Sequence, residues 1–230
     1  MAGVVGIPVL AVGFLAAAAT LPGGTEVRYD ERRGTIRSMS GANLAADLER
    51  APAYRALQVP GREVDLALAF VDGLRQRFGL VRPADELRST AVDTDGLGFR
   101  HVRLQQVYRG RRIHGAELIV HLDRDRHVTG VTGGYVRTPT GVATTPALGP
   151  AEAVQRATAA VGARVPQAAT PTLAYHADGD GTTRLAYAVR VTRSLVDATE
   201  VWIDAQTGGV LARVPTAYPI APTPGGLGPP

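Results

Sequence analysis

The chain has 230 residues, room for one large or two small domains, and its 45% hydrophobic and 20% charged composition belongs to a folded protein rather than a disordered one. It holds no cysteine, which excludes disulfides, thiolate metal sites and a cysteine nucleophile. Its net charge of +4 is small for this length and does not imply nucleic acid; every basic residue is Arg.

Residues 1–24 contain an apolar run from Val4 to Ala19 that ends in Ala17-Ala18-Ala19, the pattern of a signal-peptide core and cleavage site. Export is expected, with no stable membrane span once the leader is removed. The run contains Pro8 and is short of the about 20 residues a bilayer span needs. No Arg precedes it, a departure from the usual positive start of an export signal.

Arg28–Leu44 reads as a hairpin turning at Gly34 and closed by Gly41. A short helix through Leu44, Leu48 and Tyr54 is expected to break at Pro52. The clearest helix spans Arg62–Gly79, where Leu66, Phe70, Leu74 and Phe78 step by four and Val64, Ala67 and Val71 widen the stripe. Gly79 stands where a left-handed terminal residue is expected. Pro83–Leu87 reads as a turn or one helical turn, leading to a strand near Thr90.

From Phe99 to Val136 short runs alternate apolar and polar residues, giving half-buried strands at Phe99–Tyr108, Arg112–Leu122 and His127–Tyr135. Arg109-Gly110 breaks the first pair; Asp123–Arg126 turns the second without a Gly, Asp125 being the residue able to tolerate positive φ. Thr138–Pro150, with three prolines, two glycines and no charge, marks a linker at 138–149. A second helix follows over Pro150–Val161, with Val154, Ala157 and Val161 facing the core. Strands are expected near Pro171–His176, Arg184–Thr192, Glu200–Asp204 and Val210–Val214, and residues 215–230 form a Pro/Gly tail.

Catalytic chemistry is absent from the motifs. No His-Glu-x-x-His occurs, and the four serines lie outside any Gly-x-Ser-x-Gly. His114, Glu117 and His121 imitate a ligand set, but regular strand parity sends His114 to the face opposite the other two. Asp178–Thr182 lacks the remaining donors of a calcium loop. No catalytic residue, metal or cofactor is expected. Arg100, Arg103, Arg109, Arg111 and Arg112 crowd one hairpin, either as a solvated face or as a patch docking on an acidic protein surface. Tyr108 is the only aromatic among them, too few for stacking bases, so nucleic acid is not expected. Gln106 and Tyr108, two apart, form a buried polar pair or a contact surface.

Gln106, Tyr108, Gly110, Gly115, Glu117, Leu118, His121, Leu122 and Asp123 resemble the propeptide (FTP) module placed ahead of secreted thermolysin- and fungalysin-type zinc metalloproteases. Leu185-Ala186-Tyr187, Val189, Val201, Ile203-Asp204, Thr207-Gly208 and Val210-Leu211 resemble the PepSY module of the same propeptides. The resemblance runs from about Arg28 to Val214. It implies an α+β fold of two small antiparallel sheets, each packed by a helix, with modules at 25–137 and 150–214. It further implies a non-catalytic protein, secreted or in the cell envelope, that inhibits a thermolysin-type protease or assists its folding, the catalytic domain acting in trans or lost in cis. The prodomain of a truncated metalloendopeptidase and an envelope-associated binding module are the other readings. Arg111-Arg112 departs from the small or apolar residues usual there.

Overall fold

The computed structural model describes residues 21–162, 167–168, 170–194 and 197–216. Apart from residues 21–24 and 215–216, the expected leader and tail lie outside these. In chain order the elements are β1 (Glu26–Asp30), β2 (Thr35–Ser40), a 3₁₀ turn (Leu48–Arg50), α1 (Pro52–Arg55), α2 (Glu63–Gly73), α3 (Arg75–Phe78), α4 (Pro83–Glu86), β3 (Leu87–Thr94), β4 (Arg100–Tyr108), β5 (Arg111–Leu122) and β6 (Val128–Gly134). After these come α5 (Pro150–Ala160), β7 (Gln167–Ala168), β8 (Thr172–Ala177), β9 (Thr183–Ser194), β10 (Asp197–Asp204) and β11 (Val210–Pro215). Among the described residues no helix is long and apolar enough to cross a membrane.

The fold is mixed α+β. Antiparallel pairing orders the first half β3-β4-β5-β6-β2-β1 and the second β8-β9-β10-β11, with β7 also on β9. The two sheets expected to be separate are continuous, because Ile113 and His114 of β5 pair in parallel with Tyr175 and His176 of β8. A large bulge makes this possible. Between the pairs Gln105–Glu117 and Val107–Arg112, residues 113–116 of β5 oppose Gln106 alone. Gly115 takes φ +74 there, a conformation other residues adopt at a cost. β6 ends its pairing at Gly134–Glu117, and β8 occupies the edge of β5 beyond it.

Each half has an apolar layer under a helix. Leu66, Phe70, Val71, Leu74 and Phe78 pack on Ile36, Met39, Val102, Leu104, Leu118, Val120 and Leu122. On α5 the fully buried residues are Ala153 and Ala157, while Val154 and Val161 pack only partly, so the helix approaches Tyr187, Val189, Val201 and Ile203 on its smallest side chains. Ile113, Ala116 and Val136, from the first half of the chain, belong to this second core. A smaller cluster lies on the other face of the second sheet, where Trp202 covers Ala174, Ala186 and Ala188.

Three local expectations are corrected. The helix expected over Arg62–Gly79 is interrupted at Leu74 (φ −112, ψ 17), next to Gly73, a poor helix former on which Leu48 presses so closely that a Cβ would stand 2.7 Å from its methyl carbon. Pro52 begins α1 instead of ending a helix, since a first helical position needs no N–H donor. In the Asp123–Arg126 turn positive φ falls on Arg126 (+69), not Asp125. Gly79 (φ +66) ends α3 in the left-handed conformation, and Arg109 (+48) with Gly110 (+78) makes the two-residue turn that suits a twisted hairpin.

A candidate docking face

Alternation along β4 and β5 sends Val102, Leu104, Leu118, Val120 and Leu122 to the helix-covered core and leaves His101, Arg103, Gln105, Glu117 and His121 on the opposite side, half-buried. Thr132 of β6 joins them. A line of hydrogen-bonding contacts crosses this face. Asp95 Oδ2 lies 3.3 Å from His101 Nε2, His101 Nδ1 lies 2.8 Å from His121 Nδ1, and His121 Nε2 lies 2.8 Å from Thr132 Oγ1. One tautomer set satisfies every contact with both imidazoles neutral: His101 Nε2–H donates to Asp95, His121 Nδ1–H to His101, and the Thr132 hydroxyl to His121. Burial, and after it the positive potential of His101 and Arg103, holds His121 below its ordinary pKa.

The bulge is filled from the same face. Gln105 Nε2 lies 3.0, 2.8 and 2.7 Å from the carbonyls of Gln106, Ile113 and Ala116, which the interrupted ladder leaves without their regular partners. Gln106 points the other way and is fully buried. Its amide accepts from the Val136 N–H at 3.0 Å and donates to the Val136 carbonyl at 2.8 Å, standing in for a strand neighbour. Tyr108 is half-buried, packed edge-on to Tyr175 at 5.2 Å.

The five arginines separate into three places. Arg100 turns to the core side and joins Arg126 on Glu63, at 3.3 and 3.4 Å, in a largely buried group. Arg103 pairs with Glu117 at 2.8 Å on the open face. Arg109, Arg111 and Arg112 remain together at the hairpin tip, Arg109 over Tyr108 and Arg112 over Trp202 with their guanidinium carbons 5.8 and 5.6 Å from the ring centres. Beside the tip runs a groove of about 590 Å³, lined in part by Arg82, Glu86, Arg88, Tyr108 and Arg109.

Other expected positions sit at turns and buttresses. Asp123 accepts from the His127 N–H at 2.8 Å, closing its turn. Asp204 accepts from the N–H groups of Gln206 and Thr207 at 2.8 and 3.0 Å, and Gly208 (φ +74) completes that turn. The buried Tyr187 hydroxyl donates to Leu148 O at 3.1 Å. Gly110 and Gly115 supply positive φ at the hairpin turn and the bulge.

His114 departs from regular strand parity. Three extra residues in β5 return it to the same open side as Glu117 and His121, but it meets different neighbours: its ring stacks on Trp202 at 4.4 Å and lies 5.5 Å from His176. His114 lies in the bulge, while His121 stands four regular ladder positions beyond Glu117, about 13 Å further along the strand, so they do not share an ion. Burial foremost holds both His114 and His176 below their ordinary pKa, for His176 against the opposing effect of Asp178. Among the described residues, Asp123, Asp125 and His127 form the one group of three potential metal ligands whose donor atoms lie close together, and Asp123 is already engaged with His127.

Asp95, His101, Gln105, Thr132, His176 and Trp202 were not singled out by motif reading. A two-residue turn at Arg109-Gly110 with a regular ladder would set His101 opposite Leu118; the bulge moves it opposite His121.

No curated protein matches the chain. Among solved structures, the YpeB C-terminal domain of Bacillus megaterium is similar with a TM-score of 0.38 and 15% identity, over 66% of this chain and 63% of that one, a likeness too distant to carry function. Residues 85–135, from α4 through β6, match the family model Fungalysin/Thermolysin Propeptide Motif. This stretch is therefore similar to the non-catalytic propeptide region of fungalysin- and thermolysin-type proteases.

Proposed function

We propose that the chain is a non-catalytic propeptide-like protein that binds the catalytic domain of a secreted thermolysin-type metalloprotease as inhibitor, folding chaperone or both. The observation that carries this reading is the propeptide-motif match at residues 85–135, which coincides with the bulged β4–β5 hairpin and its flanking strands. The likeness of residues 150–214 to the PepSY module supports assigning the second half to the same kind of propeptide, with residues 25–137 as the first module and 138–149 between them. The leader-like residues 1–24 support an extracytoplasmic site of action.

In this reading Gln106, Gly110, Gly115, Asp123, Tyr187, Asp204 and Gly208 hold the scaffold, whereas the partner meets Arg109, Arg111 and Arg112 and the open face around Glu117 and His121. Arginines at an exposed tip steer association with an acidic surface, and a partner that binds the folded enzyme stabilises it by mass action. Titrating the purified protein into a panel of thermolysin- and fungalysin-type catalytic domains tests this. Stoichiometric inhibition of at least one enzyme is expected, weakened about tenfold by reversing the charge of Arg109, Arg111 and Arg112 together, and more sensitive to salt in the native protein. No inhibition and no thermal stabilisation of any enzyme in the panel would overturn it.

A further inference from the structure

Two imidazoles meet on the open face through the same nitrogen. His101 and His121 are directly opposed across β4 and β5, and their Nδ1 atoms stand 2.8 Å apart. Neutral rings have one hydrogen between these two atoms, so the contact holds either a shared proton or a cation that both lone pairs can bind. The outer nitrogens are already supported. Asp95 Oδ2 lies 3.3 Å from His101 Nε2, and Thr132 Oγ1 lies 2.8 Å from His121 Nε2. A carboxylate or hydroxyl on the far side of each ring is the arrangement that orients metal-bound histidines.

We propose that His101 and His121 are the two protein ligands of a divalent transition-metal site, selective for copper(II) or nickel(II) over zinc(II). The ion takes both Nδ1 atoms. The His121 proton moves from Nδ1 to Nε2, where it is donated to Thr132 Oγ1, and His101 keeps its Nε2 proton toward Asp95, so no proton is lost from the neutral pair. With metal–nitrogen distances of about 2.0 Å, ligands at a right angle stand about 2.8 Å apart and tetrahedral ligands about 3.3 Å apart. The 2.8 Å between the two Nδ1 atoms is hydrogen-bond length and admits an ion at a right angle once the proton has moved, and copper(II) heads the divalent affinity order at such nitrogen sites. The open side of the site faces solvent, with the His101 side chain 28% exposed, so water completes the coordination. The neighbouring cation, Arg103, is tied to Glu117 at 2.8 Å. This inference stands apart from the propeptide reading.

The test is titration of the full chain with copper(II) sulfate, nickel(II) chloride and zinc(II) chloride, followed by calorimetry and, for copper, by electron paramagnetic resonance. One copper per chain with a two-nitrogen signature is expected, with zinc bound at least tenfold more weakly. His101→Asn and His121→Asn each abolish that site, Asp95→Asn weakens it 10- to 100-fold, and His127→Asn leaves it unchanged. Copper-induced broadening of imidazole resonances in the native chain, confined to His101 and His121, gives the same answer without a variant that must fold. Copper binding that survives His101→Asn and His121→Asn, broadening centred on His127, or zinc bound as tightly as copper would each overturn the proposal.

Discussion

Gly133 has no side chain because none fits: a Cβ there would stand 2.2 Å from the Glu117 carbonyl oxygen and 3.0 Å from Leu118 Cα, both backbone. Gly133→Ala must therefore push β6 off β5, and we expect a loss of about 3 kcal/mol in urea unfolding; an unchanged midpoint would refute the close approach. Gln106→Leu keeps the volume but strands the buried Val136 N–H and carbonyl, at roughly 2 kcal/mol by the same measurement. His114 and His176 are both held below their ordinary pKa, chiefly by burial, so the native state binds fewer protons than the unfolded chain over the range between the two values. Their contribution is complete above the unfolded value of about 6.5 and is lost as pH falls through the lowered folded values. Urea midpoints should fall from pH 7.5 to pH 5, and fall less in the His114→Gln/His176→Gln double variant; a native protein more stable at pH 5 would contradict this sign.

At the scale of elements, the bulge in β5 decides what the sequence could and could not reveal. Strand alternation, the Arg109-Gly110 turn and Gly79 at the end of the Arg62–Gly79 helix were legible, because each depends on residues within a few positions. The three-residue excess opposite Gln106 was not, because a lone glycine in a strand pattern does not disclose how many residues its partner strand will skip. From that one omission follow the mistaken parity of His114, the unnoticed His101–His121 contact and the unforeseen union of the two sheets. Gly115→Ala at φ +74 should cost about 1–2 kcal/mol and expose the amides of Tyr175 and His176 to faster hydrogen exchange; protection equal to the native level would show that the parallel pair does not depend on the bulge.

At the scale of the molecule, the two halves are bound by more than the chain between them. Arg33, in the β1–β2 turn, donates to Gly115 O at the bulge and to Asp178 O in the β8–β9 turn, at 3.0 and 3.2 Å. The Pro-rich stretch 138–149 is strapped to the second half where the Ala147 and Leu148 N–H groups both donate to Ala205 O at 2.9 Å. Its composition reads as a linker, but its tethers are backbone bonds that no side-chain pattern announces. We expect a single cooperative unfolding transition, coincident for Trp202 fluorescence and for helix dichroism; two separated transitions would mean that the halves are independent.

The central proposal is that this fold binds the catalytic domain of a thermolysin-type protease and assists its folding or inhibits it. The most direct measurement is the yield of active enzyme when denatured thermolysin- and fungalysin-type catalytic domains are refolded with and without one equivalent of the protein. The account predicts at least a severalfold rise in recovered activity for one member of the panel once the protein is competed away or digested. Equal yields with and without it, across every member, would contradict the account.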